Sequence, residues 1–172
     1  MLPRIGDKTA ALLRDLLPSL DPTIEVSYPL RHLKENTARL DLPTAPGAEY
    51  SFTLWFDESG ERQISATLIR DQNDHPYFWY RPFELAEFRN NVEELEATFC
   101  DELKVLLTHE TRIIQRKGWL FWGFRCEYQE GAEWKEVYGH RASRWFKPPQ
   151  ILGKSLVYYS PPVSIAVNPN SR

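Results

Sequence analysis

Residues 84–109 read ELAEFRNNVEELEATFCDELKVLLTH. Within them Leu85, Phe88, Val92, Leu95, Phe99, Leu103 and Leu106 recur at steps of three and four, which lays one apolar stripe along a single helix face. Pro82 stands just before, where a missing N–H costs a helix nothing. Glu84 and Glu87 lie in the first turns, and Lys104 and His109 lie near the end. Each is on the side of the helix dipole that favours its charge. The pattern predicts one helix from Glu84 to His109, roughly 39 Å long at 1.5 Å per residue. A ten-residue strand reaches about 33 Å, so such a helix suits the face of a sheet. A coiled-coil seam has similar spacing, but the stripe lasts only three to four heptads and is flanked by strand patterns that need a cover.

Upstream, Leu12, Leu13, Leu16, Leu17 and Leu20 mark a short N-terminal helix with Asp7 as its N-cap and Pro18 and Pro22 at its end. Two short strands follow, on Ile24, Val26 and Tyr28 and on Ala38, Leu40 and Leu42. The clearest hairpin sets Tyr50, Phe52, Leu54 and Phe56 on one face, turns through Asp57-Glu58-Ser59-Gly60, and returns with Ile64, Ala66 and Leu68. Gly60 supplies the positive φ that such a turn needs. A polar loop, Asp71 to Pro76, leads to the all-aromatic strand Tyr77 to Tyr80. Downstream of the long helix, Ile113 and Ile114 form a strand that turns at Arg116-Lys117-Gly118. Trp119 to Tyr128 returns, the chain turns at Glu130 to Glu133, and Trp134 to Tyr138 closes a meander. The middle of Trp119–Tyr128 is apolar on both faces, which predicts a central strand. Leu156 to Tyr159 adds an edge strand within the proline-rich segment 147–172. The expected fold is α+β: an antiparallel sheet of hairpins and a meander packed against one long helix, with a short N-terminal helix, as one domain over 1–172.

The chain of 172 residues is 42% hydrophobic and 26% charged, a globular balance. Its first twenty residues lack a continuous apolar core of a leader, and no apolar run approaches the ~20 residues of a membrane span. Cytoplasm is the expected compartment, with no membrane partner and both thiols, Cys100 and Cys126, reduced and buried. The net charge of −3 is uneven. Residues 1–109 hold 11 Lys and Arg against 19 Asp and Glu, a balance of −8; residues 110–172 hold 10 against 5, a balance of +5. The simplest expectation is that the two halves attract each other.

Chemistry-bearing patterns are sparse. The 8 glycines form no phosphate-binding loop. The histidines, His32, His75, His109 and His140, have no second His or Cys three to five residues away, so neither a metal nor a cofactor is expected. Both cysteines read as small core residues. The carboxylates Glu93, Glu94, Glu96, Asp101 and Glu102 read as the wet face of the helix, and Asp74-His75 is an acid–imidazole pair in a loop. No residue is nominated as catalytic.

Two constellations remain. In Tyr77-Phe78-Trp79-Tyr80-Arg81-Pro82-Phe83, alternation puts two of the four leading rings on each face of a strand, and the outer pair needs a second layer or a partner. In Gly139-His140-Arg141-Ala142-Ser143-Arg144-Trp145-Phe146-Lys147, cations repeat every third residue among rings. That pattern can hold phosphates while stacking on bases, or it can be a charged edge answering the acidic helix. The chain as a whole is acidic, which favours the second. The leading functional expectation is a non-catalytic binding or adaptor protein that contacts another protein through exposed aromatics, with Tyr77, Trp79, Arg81, His140, Arg141, Arg144 and Trp145 as binding residues. Behind it stand nucleic-acid or anionic-ligand binding through the basic C-terminal half, and a small-ligand or enzyme pocket between helix and sheet.

Overall fold

The computed structural model describes residues 5–18, 20, 25–27, 37–69, 79–118, 122–141 and 153–164. The chain follows a helix with a meander, twice. Helix α1 (Asp7–Leu16) leads into β1 (Glu25–Ser27), β2 (Thr37–Asp41), β3 (Tyr50–Phe56), β4 (Arg62–Leu68) and β5 (Trp79–Phe83). Helix α2 (Val92–Thr108) leads into β6 (Thr111–Gly118), β7 (Trp122–Glu130), β8 (Glu133–Arg141) and β9 (Gly153–Ser160). Two antiparallel sheets result, in the orders β1-β2-β3-β4-β5 and β8-β7-β6-β9. Both sheets and both helices contribute to one core, so the α+β class is as the patterns predict.

The hairpin forms as its alternation dictates. Tyr50 lies opposite Leu68, Phe52 opposite Ala66, and Leu54 opposite Ile64. Asp57 closes the turn: its Oδ1 accepts from the Ser59 and Glu61 amides at 2.8 and 3.0 Å, and Gly60 has φ +95°. Strand β7 is central, between β6 and β8. Strand β6, however, runs through Arg116-Lys117-Gly118, so these residues are strand and not a turn. Residues 119–121 lie outside the described residues.

The long helix is shorter than its stripe. Leu85–Phe88 form one 3-10 turn, then Arg89 and Asn90 adopt φ 51° and 61°. Helix α2 starts only after Asn91, whose side chain accepts from the Glu93 and Glu94 amides at 3.1 and 3.2 Å. Asparagine tolerates the left-handed region and caps helices well, so Asn90-Asn91 offers a local alternative to continued helix. Seventeen residues span roughly 26 Å. Pro82 belongs to β5, at the free edge of the first sheet, where no ladder N–H is required of it. Val92, nominally on the stripe, is 43% exposed, whereas Leu95, Phe99, Leu103, Leu106 and Leu107 are buried.

Phe99 meets Phe56 and Phe83 edge-on, with centroids 6.0 and 5.1 Å away. A pocket between helix and sheet therefore finds this space filled by rings. Helix α1 lacks the predicted Asp7 cap; Gly6 stands there. Glu96 of α2 takes that role from across the core, its Oε1 accepting from the Thr9 amide at 3.4 Å and lying 3.8 Å from the buried Arg62 guanidinium. A Cβ on Gly6 would collide with the Glu96 carboxylate, which is why the smallest residue stands there.

Candidate binding surface

Of the aromatic strand, the described residues Trp79 and Tyr80 both pack inward. Trp79 is fully buried, opposite Ala66, whose small side chain leaves room for the indole, and its ring meets Phe52 at 6.3 Å. It presents no surface to a partner, which corrects its placement among exposed binding residues. Tyr80 packs on Phe124 of β7 at 6.0 Å, joining the two sheets. Tyr77, Arg144, Trp145 and the Asp74-His75 pair lie outside the described residues.

Arg81 is an internal fastener. Its Nε donates to Glu102 Oε2 of α2 at 3.3 Å, and its Nη1 donates to Glu87 Oε2 at 3.2 Å and to the Pro82 carbonyl at 2.8 Å. The guanidinium also covers the rings of Phe83 and of Tyr138 in β8, at 4.4 and 4.5 Å. Burial works against the Arg81 charge, but Glu102 and Glu87 outweigh it and hold the group above its ordinary pKa. Burial raises the Glu102 pKa, against the pull of Arg81. One cation thus ties the first sheet, α2 and the second sheet together.

The thiols are structural. Cys126 is fully buried and burial drives its pKa far up; Cys100 is half-buried and raised by burial, against a 3.4 Å contact with Thr9 Oγ1. Raised pKa values keep both as thiols, the unreactive form. We expect a thiol reagent at neutral pH to label neither quickly in the native protein and both after denaturation, with Cys100 the faster of the two. Native labelling at the rate of a free thiol would restore a nucleophilic or redox role.

The expected attraction between the halves does not carry the ion pairs described. Arg62 and Arg81 pair with Glu96, Glu102 and Glu87 of the acidic half. Arg112 and Arg125 converge on the buried Glu127 at 2.6 Å each, and Lys135 pairs with Glu130, all within the basic half. Every ion pair among the described residues stays within its own half.

Comparison with family models, with curated proteins and with solved structures returns no match. The geometry must therefore speak for itself, and it concentrates on the second sheet. On one face, the register aligns Glu136, Glu127, Arg112 and Tyr159 in a row across all four strands. Arg112 stacks on Trp134 at 4.1 Å, and Trp134 meets Tyr159 at 6.2 Å. Tyr159 is 42% exposed and Val157, two residues back on the same face, 37%; Leu156 is 45% exposed. All three belong to β9, an edge strand. Sequence reasoning anticipated a strand here but attached no function to it, because exposure depends on the neighbours a strand acquires.

Among the described residues, strand β9 is also open along its backbone. The Tyr159 carbonyl accepts from the Glu49 amide at 2.9 Å, and the Tyr159 amide donates to Glu49 Oε2 at 2.8 Å. Those groups therefore face away from β6. In an antiparallel ladder every second residue does the same, so the N–H and C=O of Val157 and Ser155 share that direction. Among the described residues none meets them. His140 and Arg141 lie at the far end of β8, opposite Phe124 and Gly123. Among the described residues no helix is long and apolar enough to cross a membrane.

Proposed function

We propose that this chain is a non-catalytic binding protein that receives an extended segment of another protein along the free edge of β9. The observation that carries this reading is the coincidence of backbone groups at Ser155 and Val157 that meet no partner among the described residues with exposed apolar side chains at Leu156, Val157 and Tyr159. Open sheet edges attract strands, and proteins ordinarily blunt them with charge, proline or a covering loop. Among the described residues Glu49 alone covers it, at one end, by Tyr159. Strand addition takes affinity from main-chain bonds and specificity from alternate side chains. The Tyr159–Trp134–Arg112 stack beside the edge offers rings and a cation to the incoming side chains.

The test uses the direction of one N–H. Val157→Pro removes the outward donor and leaves the β6–β9 bonds intact, whereas Val157→Thr keeps the backbone and shape. A partner retained by the wild type should be retained by Val157→Thr and lost by Val157→Pro, with melting temperatures within a few degrees. Equal retention by the proline variant would overturn the reading, and concentration-dependent dimerisation of the pure protein, blocked by proline, would reassign the edge to a second copy.

A further inference from the structure

The free edge of β9 has a fixed stop. Toward its C-terminal end the outward backbone groups belong to Ser155, Val157 and Tyr159. The last of these are taken: the Tyr159 carbonyl accepts from the Glu49 amide at 2.9 Å, and the Tyr159 amide donates to Glu49 Oε2 at 2.8 Å. An added strand can use Val157 and Ser155, but the next position along the edge is occupied by Glu49. Whichever end of the segment reaches Tyr158 meets that carboxylate first.

The stop is negative. A second carboxylate, Glu110, stands at the same end, directly before Thr111, which lies opposite Ser160. Glu49 directly precedes Tyr50, and the Tyr50 and Thr111 hydroxyls meet at 2.6 Å. Both carboxylates are exposed, and among the described residues neither has a cation partner. Arg112, opposite Tyr159 in the ladder, is already engaged by Glu127 at 2.6 Å. Helix α2 ends at Thr108, just ahead of Glu110, with no basic residue in its last turn, so its negative pole adds to the same region.

We infer that the β9 edge takes its partner antiparallel, and that the partner segment carries Lys or Arg one or two residues ahead of an adjacent apolar pair. The inference rests on the strand-addition reading above and gives that partner its chemistry. Every pairing in the second sheet is antiparallel. In that mode the residue opposite Val157 exchanges both backbone bonds with it, and its side chain shares the face of Val157 and Tyr159. The next residue faces Leu156 on the other side of the sheet, and the one after meets Ser155. Val157 and Leu156 are 37% and 45% exposed, so two apolar residues followed by a small polar one match this series. Antiparallel addition also turns the N-terminal end of the segment toward Tyr158. The residues ahead of the apolar pair then stand against Glu49 and Glu110, and two carboxylates without a cation partner select positive charge there.

The test is fluorescence anisotropy with three acetylated peptides labelled at the C-terminus. The first reads glycine, two lysines, valine, isoleucine, serine, glycine; the second has glutamates for the lysines; the third is the first reversed. At about 50 mM salt the first should bind roughly 10-fold more tightly than either of the others, and its margin over the glutamate peptide should shrink at about 500 mM salt. Glu49→Gln with Glu110→Gln should erase that margin, since an amide oxygen at 49 still accepts from Tyr159 but carries no charge. Val157→Pro should abolish binding of all three. Equal binding of the lysine and glutamate peptides, both lost in Val157→Pro, overturns the charge selection and leaves strand addition standing. Equal or tighter binding of the reversed peptide overturns the antiparallel direction. Binding that survives Val157→Pro, or no binding of any peptide, overturns the inference together with the strand-addition reading beneath it.

Discussion

Phe99→Asp is expected to abolish the folded state. Phe99 is fully buried between Phe56 and Phe83, and its neighbours on α2, Leu95 and Leu103, are equally buried. The substitution removes two edge-on ring contacts and places a carboxylate where the nearest cation, Arg62, is already engaged by Glu96 at 3.8 Å. Burying an uncompensated charge costs several kcal/mol, and a domain's whole stability is about 5–15 kcal/mol. Circular dichroism and urea titration read the outcome. Phe99→Leu is the companion: it keeps the site apolar, and we expect it to fold with a lower melting temperature. A Phe99→Asp protein with wild-type circular dichroism and melting temperature would remove α2 from the core.

Arg81→Ala is expected to be the next most damaging change. It strips Glu102 of its partner while leaving it half-buried beside Glu87, and it uncovers the rings of Phe83 and Tyr138. Breaking one side of a buried ion pair costs roughly 3–5 kcal/mol, and partial exposure puts this case near about 3 kcal/mol. At 2–4 °C per kcal/mol for a chain of this size, the melting temperature should fall by about 6–12 °C. Glu102→Gln should cost about 1 kcal/mol or less, because an amide still accepts from the Arg81 Nε and carries no charge to desolvate. The pair also predicts a pH signature. The Glu102 pKa is raised in the folded state by burial, so protonation of this group favours folding. Its contribution is fully present below the unfolded carboxylate pKa of about 4.3 and is lost as pH rises through the raised folded value. Glu102→Gln should therefore flatten the wild-type dependence in that window. Equal losses from the two substitutions would show that ring packing, and not charge, is what Arg81 supplies.

Local pattern carried much of the architecture. The hairpin of β3 and β4 was legible because period-two alternation and the Asp57–Gly60 turn agree, and agreement across levels leaves a strand one register. The central place of β7 was legible because apolar residues on both faces need cover on both. The break at Arg89 and Asn90 was hidden by Leu85, Phe88 and Val92, which keep helical phase across it. Pattern reports spacing and not φ, and Leu85 and Phe88 still pack against the core from outside the helix.

The sequence by itself determined the α+β class, the helix-plus-meander order and which residues are candidates for burial, because these follow from periods and turn residues within a few positions of one another. Tertiary structure alone decided that Trp79 lies inside, because Ala66, thirteen residues earlier, makes the space for it. It alone decided that Arg81 fastens two sheets, because Glu102 and Tyr138 reach it from different elements. It alone decided that Thr111 of β6 lies opposite Ser160 of β9, because the pairing joins strands that are not adjacent in the chain. Spacing along the chain sets which side of an element a residue occupies; only the register between elements sets what it meets there.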